Sequence, residues 1–275
     1  MNLPISSAAS LSLGSEPHSF DLGAFGCRIR AIADTREGLR LLARCIFPSL
    51  RRSSNEARKP DIVVRLEQMD GQFGVAFGDR MVASAASLEK LEASVVRALD
   101  DAVVAHLPSW RVIHAGVVAW QGRALLLPGS SHSGKSTLVA ELVRRGAVYF
   151  SDEYALIDAD GFVHPYPRPM LLRNGSAAPT LVPVAEPGTA PARIGWILSL
   201  TWQPGCSWNP VPVDQSQAVM LLLQSTPHVL ARSPELIRYF GRAVAKARAY
   251  TGCRPDAAES ATEILRLIGD AAGAP

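Results

Sequence analysis

Nine consecutive residues, Gly129-Ser130-Ser131-His132-Ser133-Gly134-Lys135-Ser136-Thr137, have the types and spacing for chemistry. They spell G-x-x-x-x-G-K-S, the pattern of a phosphate-binding loop. Glycines let the backbone wrap closely around a phosphate with its amides pointing inward. A helix that starts where the loop ends adds uncapped N–H groups and a partial positive charge. Lys135 is then placed to reach the β- and γ-phosphates of a nucleotide as a point charge, and Ser136 to offer its hydroxyl to Mg²⁺. His132 occupies an open position of the motif, so its backbone amide counts for more than its imidazole.

Asp152-Glu153 is the second informative pair. Two adjacent carboxylates at a strand end, 17 residues after Lys135, fall where ligands gather in open α/β sheets. One acid can hold Mg²⁺, directly or through water, and the other can take a proton from a hydroxyl nucleophile. The plainer alternative is a Ser-Asp-Glu turn at the surface. His114 lies in an apolar strand, where a lone histidine reads first as a satisfied core residue.

The elements that must position these groups can be traced around them. Ala124-Leu125-Leu126-Leu127 is a short buried strand, and Ser136 to Arg145 has apolar residues at helical spacing, ending near Gly146. The loop therefore sits between a strand end and a helix start, the order that separates a working loop from a chance match. Ala147 to Phe150 is the next strand, completing a βαβ unit. Arg111 to Trp120 precedes it all as a further strand, turning at Gln121-Gly122.

Upstream, Cys27 to Ala33 alternates as a strand, and Asp34 to Glu37 opens a helix that Pro48 stops. Asp61 to Glu67 and Phe73 to Val82 read as antiparallel strands joined at Asp70-Gly71. Ser87 onward is an amphipathic helix with Leu91, Val95, Val96, Leu99, Val103 and Leu107 on one face, ended by Pro108. Downstream, Tyr154 to Asp158 is extended into a turn at 158–161, and Ile194 to Thr201 is a buried strand. Helices are expected at Asp214–Gln224, Pro234–Ala249 and Asp256–Ile268. Arg173 to Arg193 is rich in Pro, Ala and Gly and reads as a loop, either a lid or slack.

Composition bounds the function classes. The chain of 275 residues is 48% hydrophobic and 19% charged, enough to bury a substantial core. A net charge of +3 gives no argument for nucleic acid, and the basic stretch Arg51 to Pro60 reads as a solvated loop. No apolar run approaches the ~18 residues of a membrane helix. The first 16 residues lack the features of a signal peptide and read as a frayed tail, so a cytoplasmic protein is expected. Cys27, Cys45, Cys206 and Cys253 are far apart and form no C-x-x-C pair, so buried free thiols are expected rather than a zinc site or disulfides.

Ile113-His114-Ala115-Gly116-Val117-Val118, then Gly129 to Thr137, Arg145-Gly146 and Ser151-Asp152-Glu153, resemble the catalytic domain of the HPr kinase/phosphorylase family, itself distantly similar to phosphoenolpyruvate carboxykinase. The resemblance is clearest over residues 111 to 160 and fades through Pro165-Tyr166-Pro167-Arg168-Pro169. It implies a kinase that passes phosphate from ATP to a serine on a partner. By position it implies Asp152 as general base, Glu153 and Ser136 on Mg²⁺, Lys135 and the loop amides on phosphate, and His114 lining the site. Glu153 stands where the bifunctional enzymes have Asp, and no Glu-x-Arg-Gly signature or glycine-rich dephosphorylation loop appears between Asp160 and Pro210. The resemblance thus leaves a phosphorylase activity and HPr as the acceptor open. Similar short relatives occur in bacterial peptide-modification systems, where a peptide hydroxyl receives the phosphate.

The expected architecture is an α/β nucleotide-binding domain of the HPr kinase type over residues 109–275. A smaller α+β segment over 1–108 is expected to extend the same sheet rather than form an independent domain. The expected function is ATP- and Mg²⁺-dependent transfer to a serine of a protein or peptide, an HPr-like carrier or a modified peptide, with no nucleic-acid or membrane partner and with homo-oligomerisation left open. The alternatives are a non-catalytic nucleotide-binding regulator and a small-molecule kinase of the same fold.

Overall fold

The computed structural model describes residues 18–53, 59–107, 109–130, 133–172, 180–227 and 234–270. The expected frayed start, the middle of the basic loop after Arg51, Pro108, Ser131 and His132 of the phosphate loop, and residues 173–179 lie outside the described residues. The chain divides into two compact units, Met1–Ile46 with Arg51–His106, and Phe47–Leu50 with Leu107–Pro275.

The first unit contains β1 (His18–Ala24), β2 (Cys27–Ala33), α1 (Arg36–Arg44), β3 (Arg51–Arg52), β4 (Ile62–Met69), β5 (Gln72–Phe77), β6 (Arg80–Ala85), a 3₁₀ turn (Leu88–Leu91) and α2 (Glu92–Ala105). Its strands form a sheet of their own in the order β3-β1-β2-β4-β5-β6, not the expected extension of the sheet that carries the loop. Asp70 and Gly71 both have positive φ, 49° and 76°, the backbone of a tight two-residue hairpin that matches strand twist. Thr35 caps α1, its hydroxyl accepting from the Gly38 amide at 3.0 Å, one of the four donors a helix start leaves open. The apolar face of α2, with Val95, Val96, Leu99 and Val103, is fully buried.

The second unit contains β7 (Arg111–Trp120), β8 (Arg123–Pro128), α3 (Lys135–Arg144), β9 (Val148–Ser151), β10 (Tyr154–Ile157), β11 (Phe162–His164), β12 (Met170–Leu172), β13 (Thr180–Val182), β14 (Ala192–Trp202), β15 (Val211–Val213), α4 (Gln215–Gln224), α5 (Pro234–Ala243), β16 (Arg248–Arg254) and α6 (Ala257–Asp270). The main sheet runs β11-β10-β7-β8-β14-β16-β15, with β9 also on β7, and β11 pairs β14 as well as β10. β8 and β9 are both antiparallel to β7 between them, so they run the same way, and α3 is the crossover of a βαβ unit split by one strand.

Alternate residues of the central strands serve opposite faces, as a pleated strand requires. Val118, Leu125, Leu127, Trp196 and Leu198 pack with α3 and α6. Val117, Leu126 and Ile197 pack with α4 and α5. A sheet covered on both sides explains why β7 and β8 read as continuous apolar runs rather than alternating ones. The architecture is mixed α/β, in helix–sheet–helix layers. At the end of α3, Gly146 adopts φ 96°, and the Ala147 amide donates to the Leu142 carbonyl at 3.1 Å, closing the helix.

Three expectations are corrected. The helix expected over Pro234–Ala249 ends at Ala243, and the chain enters strand β16 at Arg248. The Pro/Ala/Gly-rich stretch is not all loop: Thr180–Val182 pairs with Met170–Leu172, and β14 begins at Ala192. The cysteines are not all free. Cys206 and Cys253 form a disulfide with Cα atoms 6.3 Å apart, while Cys27 and Cys45 are free and buried. The pairing is invisible at a separation of 47 residues until β16 lies beside the loop that follows β14. None of the described helices is long and apolar enough to cross a membrane.

Candidate active site

β8 ends at Pro128, the chain turns, and α3 starts at Lys135. Gly134 makes that turn with φ 77°, a left-handed backbone suited to glycine. A Cβ there would stand 2.8 Å from the Arg254 guanidinium. Lys135 is 9% exposed. Its ammonium donates to the carbonyls of Gly129, at 3.0 Å, and Ser130, at 2.7 Å, tying the loop's first residues to the start of the helix. An ammonium has three donors, so among the described residues one remains without a partner. Burial lowers the proton affinity of Lys135, while the charges of Glu153 and Asp152 pull it back up. Both acids are therefore within electrostatic reach of the loop lysine.

The acids lie where two strands meet. β9 and β10 both pair with β7, Ser151 with Val117 and Tyr154 with His114, so Asp152 and Glu153 fall opposite Gly116 and Ala115. Gly116 lets α3 approach, since a Cβ there would stand 2.7 Å from Val139 Cγ2. Asp152 is 1% exposed. Its Oδ1 faces the Tyr149 hydroxyl at 3.0 Å and Arg168 Nη1 at 3.5 Å. Its Oδ2 is buried without a hydrogen-bond partner among the described residues. Such an oxygen is costly and points to a site made for something else.

Glu153 is more open. Its Oε1 shares a 3.0 Å hydrogen bond with His114 Nε2, and its Oε2 lies 3.8 Å from Arg168 Nη1. Burial alone would raise its pKa. The hydrogen bond from His114, with the charges of His114, Arg168 and Lys135, outweighs burial and holds the carboxyl below its ordinary value. His114, Glu153, Arg168 and Asp152 thus form one contiguous cluster, within electrostatic reach of Lys135. Ser133 and Gly134 lie on the adjoining loop, and Ser136, half-buried, and Thr137, exposed, are on the first turn of α3.

Two arginines join the site without having stood out in the sequence. Arg168 bridges both acids from the Pro165–Pro169 run, where a single charge among prolines was the one available signal. Arg254 ends β16 and donates through Nη2 to the carbonyls of Ser133, at 3.0 Å, and Gly134, at 3.2 Å. It is 2% exposed, and burial lowers its proton affinity against the pull of Asp256. Nothing local in the sequence marks it.

The remaining Lys135 donor and the glycine turn fit an anionic group such as phosphate, whereas the Asp152 oxygen, an acceptor, fits a hydrogen-bond donor or a cation beside it. Among the described residues, no group of three or more His, Cys, Asp or Glu side chains forms a metal cage. A Mg²⁺ ion carried by phosphates needs only one or two protein oxygens, which Glu153 and Ser136 could supply.

No family model matches the chain, and no curated protein matches it. Among solved structures, the HPr(Ser) kinase/phosphatase from Coxiella burnetii is similar at 14% identity, over 58% of this chain and 95% of that one, with a TM-score of 0.32. A likeness at that level assigns neither fold family nor activity.

Proposed function

We propose that the protein is an ATP- and Mg²⁺-dependent phosphotransferase that passes the γ-phosphate to a serine hydroxyl of a partner protein or peptide. What supports this reading is one observation: Asp152, a buried carboxylate whose Oδ2 has no partner among the described residues, lies within electrostatic reach of the lysine of a G-x-x-x-x-G-K-S loop. Lys135 and the loop amides hold the phosphates. Ser136 and Glu153 would hold Mg²⁺, which would supply positive charge beside the phosphates. The acceptor oxygen bonds to the γ-phosphorus, the bridging oxygen leaves with its electron pair on ADP, and the acceptor proton passes to Asp152 Oδ2. Arg168 keeps the two acids apart in role by taking Asp152 Oδ1 and leaning on Glu153.

A second reading is favoured by the depth of Asp152: an acid 1% exposed and paired with arginine suits a nucleotide-binding regulator that transfers nothing. The two separate on incubating the protein with γ-labelled ATP, Mg²⁺ and candidate proteins, peptides and small hydroxyl compounds, followed by mass spectrometry. A phosphoserine product lost in Asp152→Asn supports the kinase. ATP binding with no labelled product from any acceptor supports the regulator. Label on a small hydroxyl compound alone makes it a small-molecule kinase.

A further inference from the structure

The phosphate loop is held from outside by a residue far along the chain, and that residue sits beside a disulfide. Arg254 gives one nitrogen to two consecutive loop carbonyls, Ser133 and Gly134, and a second to Pro255. Its neighbour Cys253 is bonded to Cys206. The same strand end is gripped twice more. The Gln203 amide donates to the Arg254 carbonyl at 3.2 Å, and Gly252 passes so close to the 203–210 loop that a Cβ would stand 2.6 Å from the Asn209 carbonyl oxygen. Cys206 and Cys253 are both half-buried rather than enclosed, so a reductant can reach them.

We propose that Arg254 is a positioning residue of the phosphate loop and that the Cys206–Cys253 disulfide holds it in place, so that reduction by an external dithiol loosens the loop and weakens its hold on phosphate. A dithiol thiolate attacks one sulfur of the bond, and the other leaves as a thiolate and takes a proton. The second thiol of the reductant then resolves the mixed disulfide. Two electrons pass to the protein, Cys206 and Cys253 become thiols, and the reductant becomes a disulfide. The loop carbonyls lose their fixed cation, and the amides on the same peptides lose their aim. The inference deepens the reading of this loop as a phosphate site and rests on it.

The test uses the whole chain, oxidised and after dithiothreitol, with thiols counted by alkylation and mass spectrometry. Amide hydrogen exchange over peptides spanning 129–138 reads the loop without any ligand. Calorimetry with Mg²⁺-ADP reads binding. Reduction should speed exchange in that segment and weaken ADP binding on the order of tenfold, the effect of disturbing charge-assisted hydrogen bonds. Cys206→Ser with Cys253→Ser should reproduce the reduced state and no longer respond to dithiothreitol. Arg254→Gln should mimic it with the disulfide intact, and Arg254→Lys should restore binding only in part, since one ammonium keeps the charge without the fork. Unchanged exchange over 129–138 on reduction overturns the staple, whatever ADP does. Altered exchange with no ADP binding in any form keeps the staple and overturns the nucleotide reading instead.

Discussion

At Gly116 the sheet and the helix after the loop approach closely, which offers a quantitative test of the site's construction. A methyl added there would stand 2.7 Å from Val139 Cγ2, on a side chain with no exposure and a stiff, β-branched χ1. The valine has nowhere to go, so α3 must move or β7 must bend. Overpacking of this kind costs about 1–3 kcal/mol. Val139→Ala alone removes two buried carbons and leaves a cavity, costing about 2 kcal/mol. In the double variant the new methyl enters the space the valine left, so its cost should fall short of the sum by about 1–2 kcal/mol. All five tryptophans, Trp110, Trp120, Trp196, Trp202 and Trp208, belong to the second unit, so their fluorescence in a urea titration reads this unit selectively. Additive costs in the double variant, or a neutral Gly116→Ala, would refute the close-approach argument. Because α3 carries Lys135, Gly116→Ala should also weaken ADP binding, and Val139→Ala should recover part of it.

Lys135→Ala should weaken Mg²⁺-ADP binding by about 1.5–3 kcal/mol, the loss of a charge-assisted phosphate contact; equal affinities by calorimetry would remove the lysine from the site. Asp152→Asn should bind nucleotide normally yet transfer phosphate roughly 10²–10⁴-fold more slowly, and a wild-type rate would dismiss Asp152 as base. His114→Ala should make the protein more acid-sensitive. Glu153 has a depressed pKa, so its contribution to stability is present above the unfolded glutamate value of about 4.3 and disappears as pH falls through the folded one. Without His114, burial regains ground, the folded pKa rises, and acid unfolding followed by tryptophan fluorescence should begin at higher pH. An unchanged onset would show that His114 does not hold Glu153 down.

The part of the site that is local in the chain was legible in the sequence. The strand, loop and helix of residues 124–145 follow from an apolar run, glycines and a 3.6-residue period, all short-range signals. The place of Asp152-Glu153 at a strand end was legible because the spacing from Lys135 equals one helix, one turn and one short strand. His114 could be placed only by resemblance, because its approach to Glu153 depends on the pairing of β7 with β10, which no local pattern fixes. Arg254 was missed because Pro234–Ala249 has helical periodicity and hid the start of β16, and Arg168 because its partners belong to another strand end. The Cys206–Cys253 bond was missed for the same cause as Arg254. Strand β1 also went unread, since His18-Ser19-Phe20-Asp21-Leu22 lacks a clean alternation and carries next to buried Leu22 a charged residue, Asp21, that is itself buried by pairing with Arg28 and Arg30.

The prop on the phosphate loop has a consequence for how the protein is made. Gly134 and Arg254 are 120 residues apart, so the loop leaves the ribosome long before its buttress exists. At about 5–20 residues per second, that interval lasts roughly 6–24 s, during which the strand and helix around Lys135 can form while the carbonyls of Ser133 and Gly134 lack their arginine. On the proposed reading of this loop, a nascent chain stalled before β16 should therefore carry the motif intact and hold phosphate poorly until one of the last strands of the sheet docks.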